Sequence, residues 1–371
     1  MNRRSIKTQT EGDAYSLHRT ALGPLLPYAD EKNLFESCKQ FNQIGETLFI
    51  EFLHQQDLAP MWHRALHQAA DNTLASKTFI ETLHQARLLA AGIYILQSQG
   101  LKTIKSIFES ENINHVIFKG CHTRELIYDE PAIRPACDID VLISPDDQIK
   151  AIQALVNAGY QVVPDPEIIS HEISLVKGGI SIDLHWDIMR PGRTRIPMTE
   201  ILLKTRKEFP IHWGLNNDAT IFLMLVHPVF TKYSTTPHST LIRIVDLAHW
   251  IETKEPDWEQ IESWLEDAGV RTAAWITLEW LRQLAQITPP ASFIECIQPG
   301  KLRINYLRYW IKKNLSSRLI NYPRLIQITF TLPAHDKFSD AMQAITTLLK
   351  EKLSASKKMN ELTATYEEHY T

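Results

Sequence analysis

No segment of this chain is long and apolar enough to span a bilayer, and Met1-Asn2-Arg3-Arg4-Ser5 runs into a polar stretch with no apolar run behind it. Neither a membrane helix nor a secretory leader is expected. Cysteine is scarce: Cys38, Cys121, Cys137 and Cys296 are the only four in 371 residues, and none has Cys-x-x-Cys spacing. Such usage gives no disulfide framework and fits a reduced cytoplasm. Positive charge is not in excess either, since 39 Lys+Arg against 43 Asp+Glu leave a net charge of −4. A global attraction to nucleic acid or to an anionic membrane is therefore not expected. No internal repeat is present. What remains is ordinary globular usage, 44% hydrophobic and 22% charged, in a chain long enough for two or three domains.

The hydrophobic period changes twice along the chain. Residues 1–22 are polar and read as a flexible tail. From 23 to 112 the pattern is helical, with Phe41, Ile44, Leu48 and Phe49, then Leu89, Ile93 and Leu96, at three- and four-residue steps. Residues 113–195 form an α/β stretch. Its expected strands are His115 to Lys119, Asp138 to Ile143, Glu172 to Lys177 and Ser181 to Asp187, with helices near Arg124 and from Asp146 to Ala158. From 196 to 371 the chain returns to helices, including Asp218 to Val226, Thr240 to Ile251, Asp257 to Ala268 and Thr272 to Ile287. The expected fold class is α+β, a small mixed sheet flanked by helical regions.

Chemistry concentrates in the α/β stretch. In Cys137-Asp138-Ile139-Asp140-Val141-Leu142-Ile143, period-two alternation puts Asp138 and Asp140 on one face and Ile139 and Val141 on the other. Paired carboxylates on a buried strand repel unless a cation lies between them, and neutralising one should then raise thermal stability. Oxygen donors of this kind suit Mg2+ or Mn2+. A later strand, Ser181-Ile182-Asp183-Leu184-His185, places Asp183 and His185 on one face. If the two strands are neighbours, Asp138, Asp140 and Asp183 form a three-carboxylate cradle for two metal ions bridging a nucleoside triphosphate and an acceptor oxygen.

The order strand, glycine turn, helix, Asp-x-Asp strand, helix, later strand with one Asp resembles the nucleotidyltransferase core of the DNA polymerase β superfamily. More narrowly, Phe118-Lys119-Gly120, Arg134-Pro135, Ala158-Gly159-Tyr160 and Asp183-Leu184-His185-Trp186 resemble an uncharacterised bacterial nucleotidyltransferase family found in peptide and polysaccharide biosynthetic clusters. The resemblance runs through His227, Arg243-Ile244-Val245-Asp246 and Asp257-Trp258. It implies a metal-dependent enzyme that moves a nucleoside monophosphate from an NTP, ATP being favoured, to a hydroxyl or phosphate-bearing acceptor, with release of pyrophosphate. A small metabolite or peptide natural product is the favoured acceptor. The superfamily's usual Gly-Ser turn is Gly120-Cys121 here, so a phosphate-touching hydroxyl is missing. Lys119 is the expected replacement, with Gly120 forming the turn and Arg124 and Arg134 as further phosphate grips.

Blander readings stand beside these. Arg124 could instead pair with Asp129 or Glu130, and Arg243 with Asp246 on one helix surface. His185 could bind nucleotide, act as a base or be a packed strand histidine. His63 and His67 have zinc-compatible spacing with no third ligand evident nearby. Between Cys296 and His335, seven Lys/Arg stand without Asp/Glu among Tyr306, Tyr309, Trp310 and Tyr322. This stretch keeps open toxin-like nucleotidylation of a protein or tRNA, although a solvated helix face is the commoner cause. A non-catalytic nucleotide-binding scaffold is disfavoured by the presence of all three carboxylates.

Overall fold

The structure is a computed structural model and describes residues 15–70, 73–164, 171–231, 241–319, 321–347 and 349–350. It is an α+β fold built on one seven-stranded mixed sheet. The strands are β1 (His115–Phe118), β2 (Ile139–Ile143), β3 (Gln161–Val162), β4 (Glu172–Lys177), β5 (Ile180–His185), β6 (Lys207–Glu208) and β7 (Trp213–Gly214). Their order across the sheet is β3-β4-β5-β2-β1-β7-β6. The central pair, β2 and β5, is parallel; β1 runs antiparallel to β2, and β4 antiparallel to β5. The four longer strands match the expected segments. The two-residue strands β3, β6 and β7 were not expected, because so short a piece carries no period.

The two faces of the sheet pack differently. Ile139, Val141, Ile182 and Leu184 point into a cluster with Leu101, Ile104 and Phe108 of the Lys77–Ser110 helix and with Ile152 and Leu155 of the Gln148–Asn157 helix. That long helix begins with a capped turn, Ser76 Oγ accepting from the Phe79 N–H at 3.1 Å. Val116, Phe118 and Leu142 instead join a larger cluster made by helices from both ends of the chain, among them Asn217–Thr231, Leu241–Thr253 and Arg271–Ala285. The polar face of β2 and β5 therefore looks toward the helices that follow the sheet.

The tail expected over residues 1–22 is helical from Ser16 to Leu22, and Tyr15, Ala21 and Leu22 are buried in the larger cluster. Residues 1–14 of that tail lie outside the described residues, as does Thr240 at the start of an expected helix. In the basic aromatic stretch, Arg303 donates to the carbonyls of His335 and Asp336 at 3.0 and 2.8 Å, and Arg308 lies 3.3 Å from Glu279. Part of that positive charge is thus spent on packing the Lys301–Lys312 helix. No helix among the described residues is long and apolar enough to cross a membrane.

Candidate functional site

Register brings the polar groups together. Asp140 on β2 sits opposite Asp183 on β5, Phe118 at the end of β1 sits opposite Asp140, and Ser174 and Glu172 on β4 sit opposite Asp183 and His185. Residues opposite one another project from the same side of a sheet. The β4–β5 register follows from the turn between the strands. Gly178 and Gly179 have φ of +56° and +84°, the pair of positive values that a two-residue hairpin turn demands and that glycine supplies at little cost. Counting outward from that turn sets Glu172 against His185.

The strand-to-helix turn after β1 then delivers Lys119. Its φ is +55°, in the left-handed region that a lysine enters only at a cost. Its Nζ donates to Asp140 Oδ1 at 2.6 Å. On the other side of that carboxylate, His185 Nε2 lies 3.0 Å from the same oxygen. Burial alone would push the Asp140 carboxyl up, but the Lys119 ammonium and the His185 hydrogen bond hold it well below the usual carboxylate range. His185 is fully buried and feels opposite pulls. Desolvation and Lys119 lower its pKa, while bonding to Asp140 and the carboxylate of Glu172 raise it, for a net upward shift. Asp183 is anchored by Ser174, whose Oγ donates to its Oδ1 at 2.6 Å.

The expected like-charge pair is therefore not what the strand holds. β2 begins at Ile139, so Asp138 falls in the bend before it and is only half-buried. Its carbonyl accepts from Cys121 Sγ at 3.2 Å. That contact explains the cysteine where a serine hydroxyl was missed: the thiol points inward, and its burial pushes its pKa up to about 12. The donors that converge are Asp140, Asp183 and His185, whose ligand atoms all lie within 4.8 Å of one another, and Asp138 is not among them. Two carboxylates from aligned central strands, with a lysine ammonium already resting against one of them, make a place suited to positive charge. The two carboxylates are compatible with a divalent metal ion held beside them.

Both arginines have other partners. Arg134 is buried against Asp246, with Nη2 2.6 Å from Oδ2 and Nε 3.3 Å from Oδ1, and its Nη1 donates to the Pro135 carbonyl. Tyr128 donates to the same Asp246 at 2.8 Å. The Arg243–Asp246 surface pair is thereby corrected, because Asp246 is buried and pairs across the fold. Gly120 also belongs to this arrangement: a Cβ there would stand 2.5 Å from Arg134 Nη1 and 3.2 Å from Ala136 Cβ. The glycine makes room for the guanidinium, whereas the positive φ sits on Lys119. Arg124 is buried too. Its Nη1 donates to Gln97 Oε1 at 2.7 Å, its Nε lies 3.7 Å from Glu125 Oε1, and its guanidinium lies over the Tyr94 ring. Asp129 and Glu130 pair instead with Arg64 and Arg87. A phosphate role for Arg124 or Arg134 would require these contacts to break.

The Arg134–Asp246 pair ties the glycine turn to the Leu241–Thr253 helix, and removing one member leaves a buried charge. Asp246→Ala should cost about 3–5 kcal/mol, read as a lower urea midpoint. An unchanged midpoint would remove this pair as the anchor of the turn.

Sequence reasoning did not single out His171 and Glu172. The signal was the Gly178-Gly179 turn, from which the register could have been counted. His63 stacks on His84 at 5.0 Å between ring centroids and meets His67 edge-on at 5.9 Å, and Arg87 Nη1 stands 3.2 Å from His63 Nδ1. Among the described residues only two groups bring three donors within 4.8 Å, and these histidines are in neither.

The model of a family described as uncharacterised nucleotidyltransferase matches residues 42–286. No curated protein matches the chain.

Proposed function

The chain belongs to this family of uncharacterised nucleotidyltransferases, and from that premise we propose that it transfers a nucleoside monophosphate, AMP in the first instance, from an NTP to a hydroxyl or phosphate-bearing acceptor at the Asp140–Asp183 site. The observation that carries the reading is the aligned register of Asp140 and Asp183 on neighbouring parallel strands, with Lys119 at the carboxylates. The same order of strands and turn favours the DNA polymerase β-like superfamily.

Asp140 and Asp183 would hold Mg2+ or Mn2+, with Asp138 as a further donor from the bend. Such an ion, when bound, supplies charge stabilisation for the triphosphate and acidifies the acceptor hydroxyl. The Lys119 ammonium is partly exposed and sits at the end of its strand, so it can pass from Asp140 Oδ1 to a phosphate oxygen as a point charge. His185 Nε2 keeps the Asp140 oxygen oriented. Gly120 and Arg134 hold the turn that aims Lys119.

We assign the nucleotide to residues 113–195 and the acceptor to the helical regions 23–112 and 196–371. The acceptor we favour is a small metabolite or a peptide natural product. The test is incubation with each α-labelled NTP, Mg2+ and size-fractionated cell extract. Label from ATP should appear in the low-mass fraction together with pyrophosphate. Label on protein or tRNA would replace the acceptor assignment, and no transfer from any NTP would sink the reading.

A further inference from the structure

We propose that His171, Glu172 and His185 form a second site, for a divalent transition-metal ion such as Zn2+, on the side of the His185 ring away from Asp140. The donors converge: one nitrogen from each histidine and one glutamate oxygen lie within 4.8 Å of one another. Glu172 Oε2 is central, 2.9 Å from His185 Nδ1 and 3.5 Å from His171 Nε2. Ligands held about 2.0–2.1 Å from a tetrahedral zinc are separated by roughly 3.3 Å, so these spacings bracket that value. Two imidazoles and a carboxylate are also a donor set that a first-row transition metal prefers and Mg2+ does not.

The independent observation is the state of His185. Its side chain is completely buried, and its Nδ1 has no hydrogen-bond partner although a glutamate oxygen stands 2.9 Å away. The other ring nitrogen, Nε2, faces Asp140 Oδ1 at 3.0 Å and is placed to donate its proton there. Between Nδ1 and the Glu172 oxygen a cation is needed, a proton in the metal-free chain or the metal ion that replaces it. The resulting order carboxylate, histidine, metal is the one in which an outer carboxylate orients a ligating imidazole. Because Nε2 and Nδ1 point in opposite directions from one ring, this site and the Asp140–Asp183 site can be filled together, with His185 as their common wall.

The test uses the full chain stripped with chelator and titrated with Zn2+, with and without millimolar Mg2+. One equivalent should bind, Mg2+ should leave its affinity unchanged, and the ring 15N resonances of His171 and His185 should move. His171→Ala and Glu172→Gln should each weaken binding by about 100-fold or more, beyond the 10–100-fold typical of removing an outer partner. The 15N measurement on the wild-type chain identifies the ligands even if a variant fails to fold. Displacement by Mg2+, movement of other histidines instead, or absence of a bound equivalent would each overturn the proposal.

Discussion

Asp140→Asn is expected to lower nucleotidyl transfer by about three to four orders of magnitude while also lowering the melting temperature. The activity estimate takes about 5 kcal/mol of transition-state stabilisation from the lost anionic ligand, at about 1.4 kcal/mol per factor of ten. The stability effect has the opposite sign to that expected from two repelling carboxylates. Asp140 is paired on both sides, by Lys119 Nζ at 2.6 Å and by His185 Nε2 at 3.0 Å. A neutral amide would weaken both bonds and leave the ammonium beside a buried ring, a loss of about 1.5–3 kcal/mol for a charge-assisted contact. Steady-state transfer assays and thermal melts on the same preparation separate the two effects. Turnover near wild type removes Asp140 from the chemistry, whereas a higher melting temperature removes the pairing account.

Acid should unfold this protein between about pH 6.5 and pH 4, through histidines that the fold keeps neutral. His115, His122 and His335 are each 1% exposed or less, and burial lowers each to about 4 from an ordinary value of about 6.5. His122 shows why a proton is unwelcome. Its Nε2–H donates to the Leu215 carbonyl at 3.1 Å, so its Nδ1 must accept from His212 Nε2 at 2.9 Å. Because the folded pKa values are depressed, the unfolded chain binds more protons below 6.5. Stability is then complete above that pH and lost as pH falls toward 4. Three such groups cost about 4 kcal/mol per pH unit within the window, a large share of a typical 5–15 kcal/mol. His185 works the other way: its raised folded pKa adds stability below 6.5 that disappears as pH rises through the folded value. One such group offsets only part of three. Urea denaturation at pH 7 and pH 5 checks the sign, and equal midpoints would refute it.

Much of the site was legible because a strand carries its own face assignment. Alternation placed Asp140 and Asp183 on polar faces, and the structure sets them opposite each other. What escaped depends on partners remote in sequence. Arg134 reads as a phosphate grip until Asp246, 112 residues later, is found against it. Gly120 reads as a phosphate turn until the Arg134 guanidinium is seen filling the space beside it. Asp138 lies in the bend one residue before β2 and is not among the donors that converge within 4.8 Å. The edge strands β3, β6 and β7 have two residues each, too few for any period to register.

The helix near the start of the described chain binds the far end of the fold. Tyr15 donates to the Ile311 carbonyl across a separation of 296 residues, and Trp280 Nε1 donates to the Tyr15 hydroxyl at 3.3 Å. During synthesis at about 5–20 residues per second, that carbonyl emerges roughly 15–60 s after the tyrosine. For that interval the Tyr15 hydroxyl lacks its final acceptor, whereas the Ser16–Leu22 helix can already pack on the segments that follow it, Trp62 Nε1 donating to the Ala21 carbonyl at 2.8 Å. The N-terminal helices of the larger cluster can therefore pack early, and the Tyr15–Ile311 bond joins them to the C-terminal helices only late, after the sheet is made.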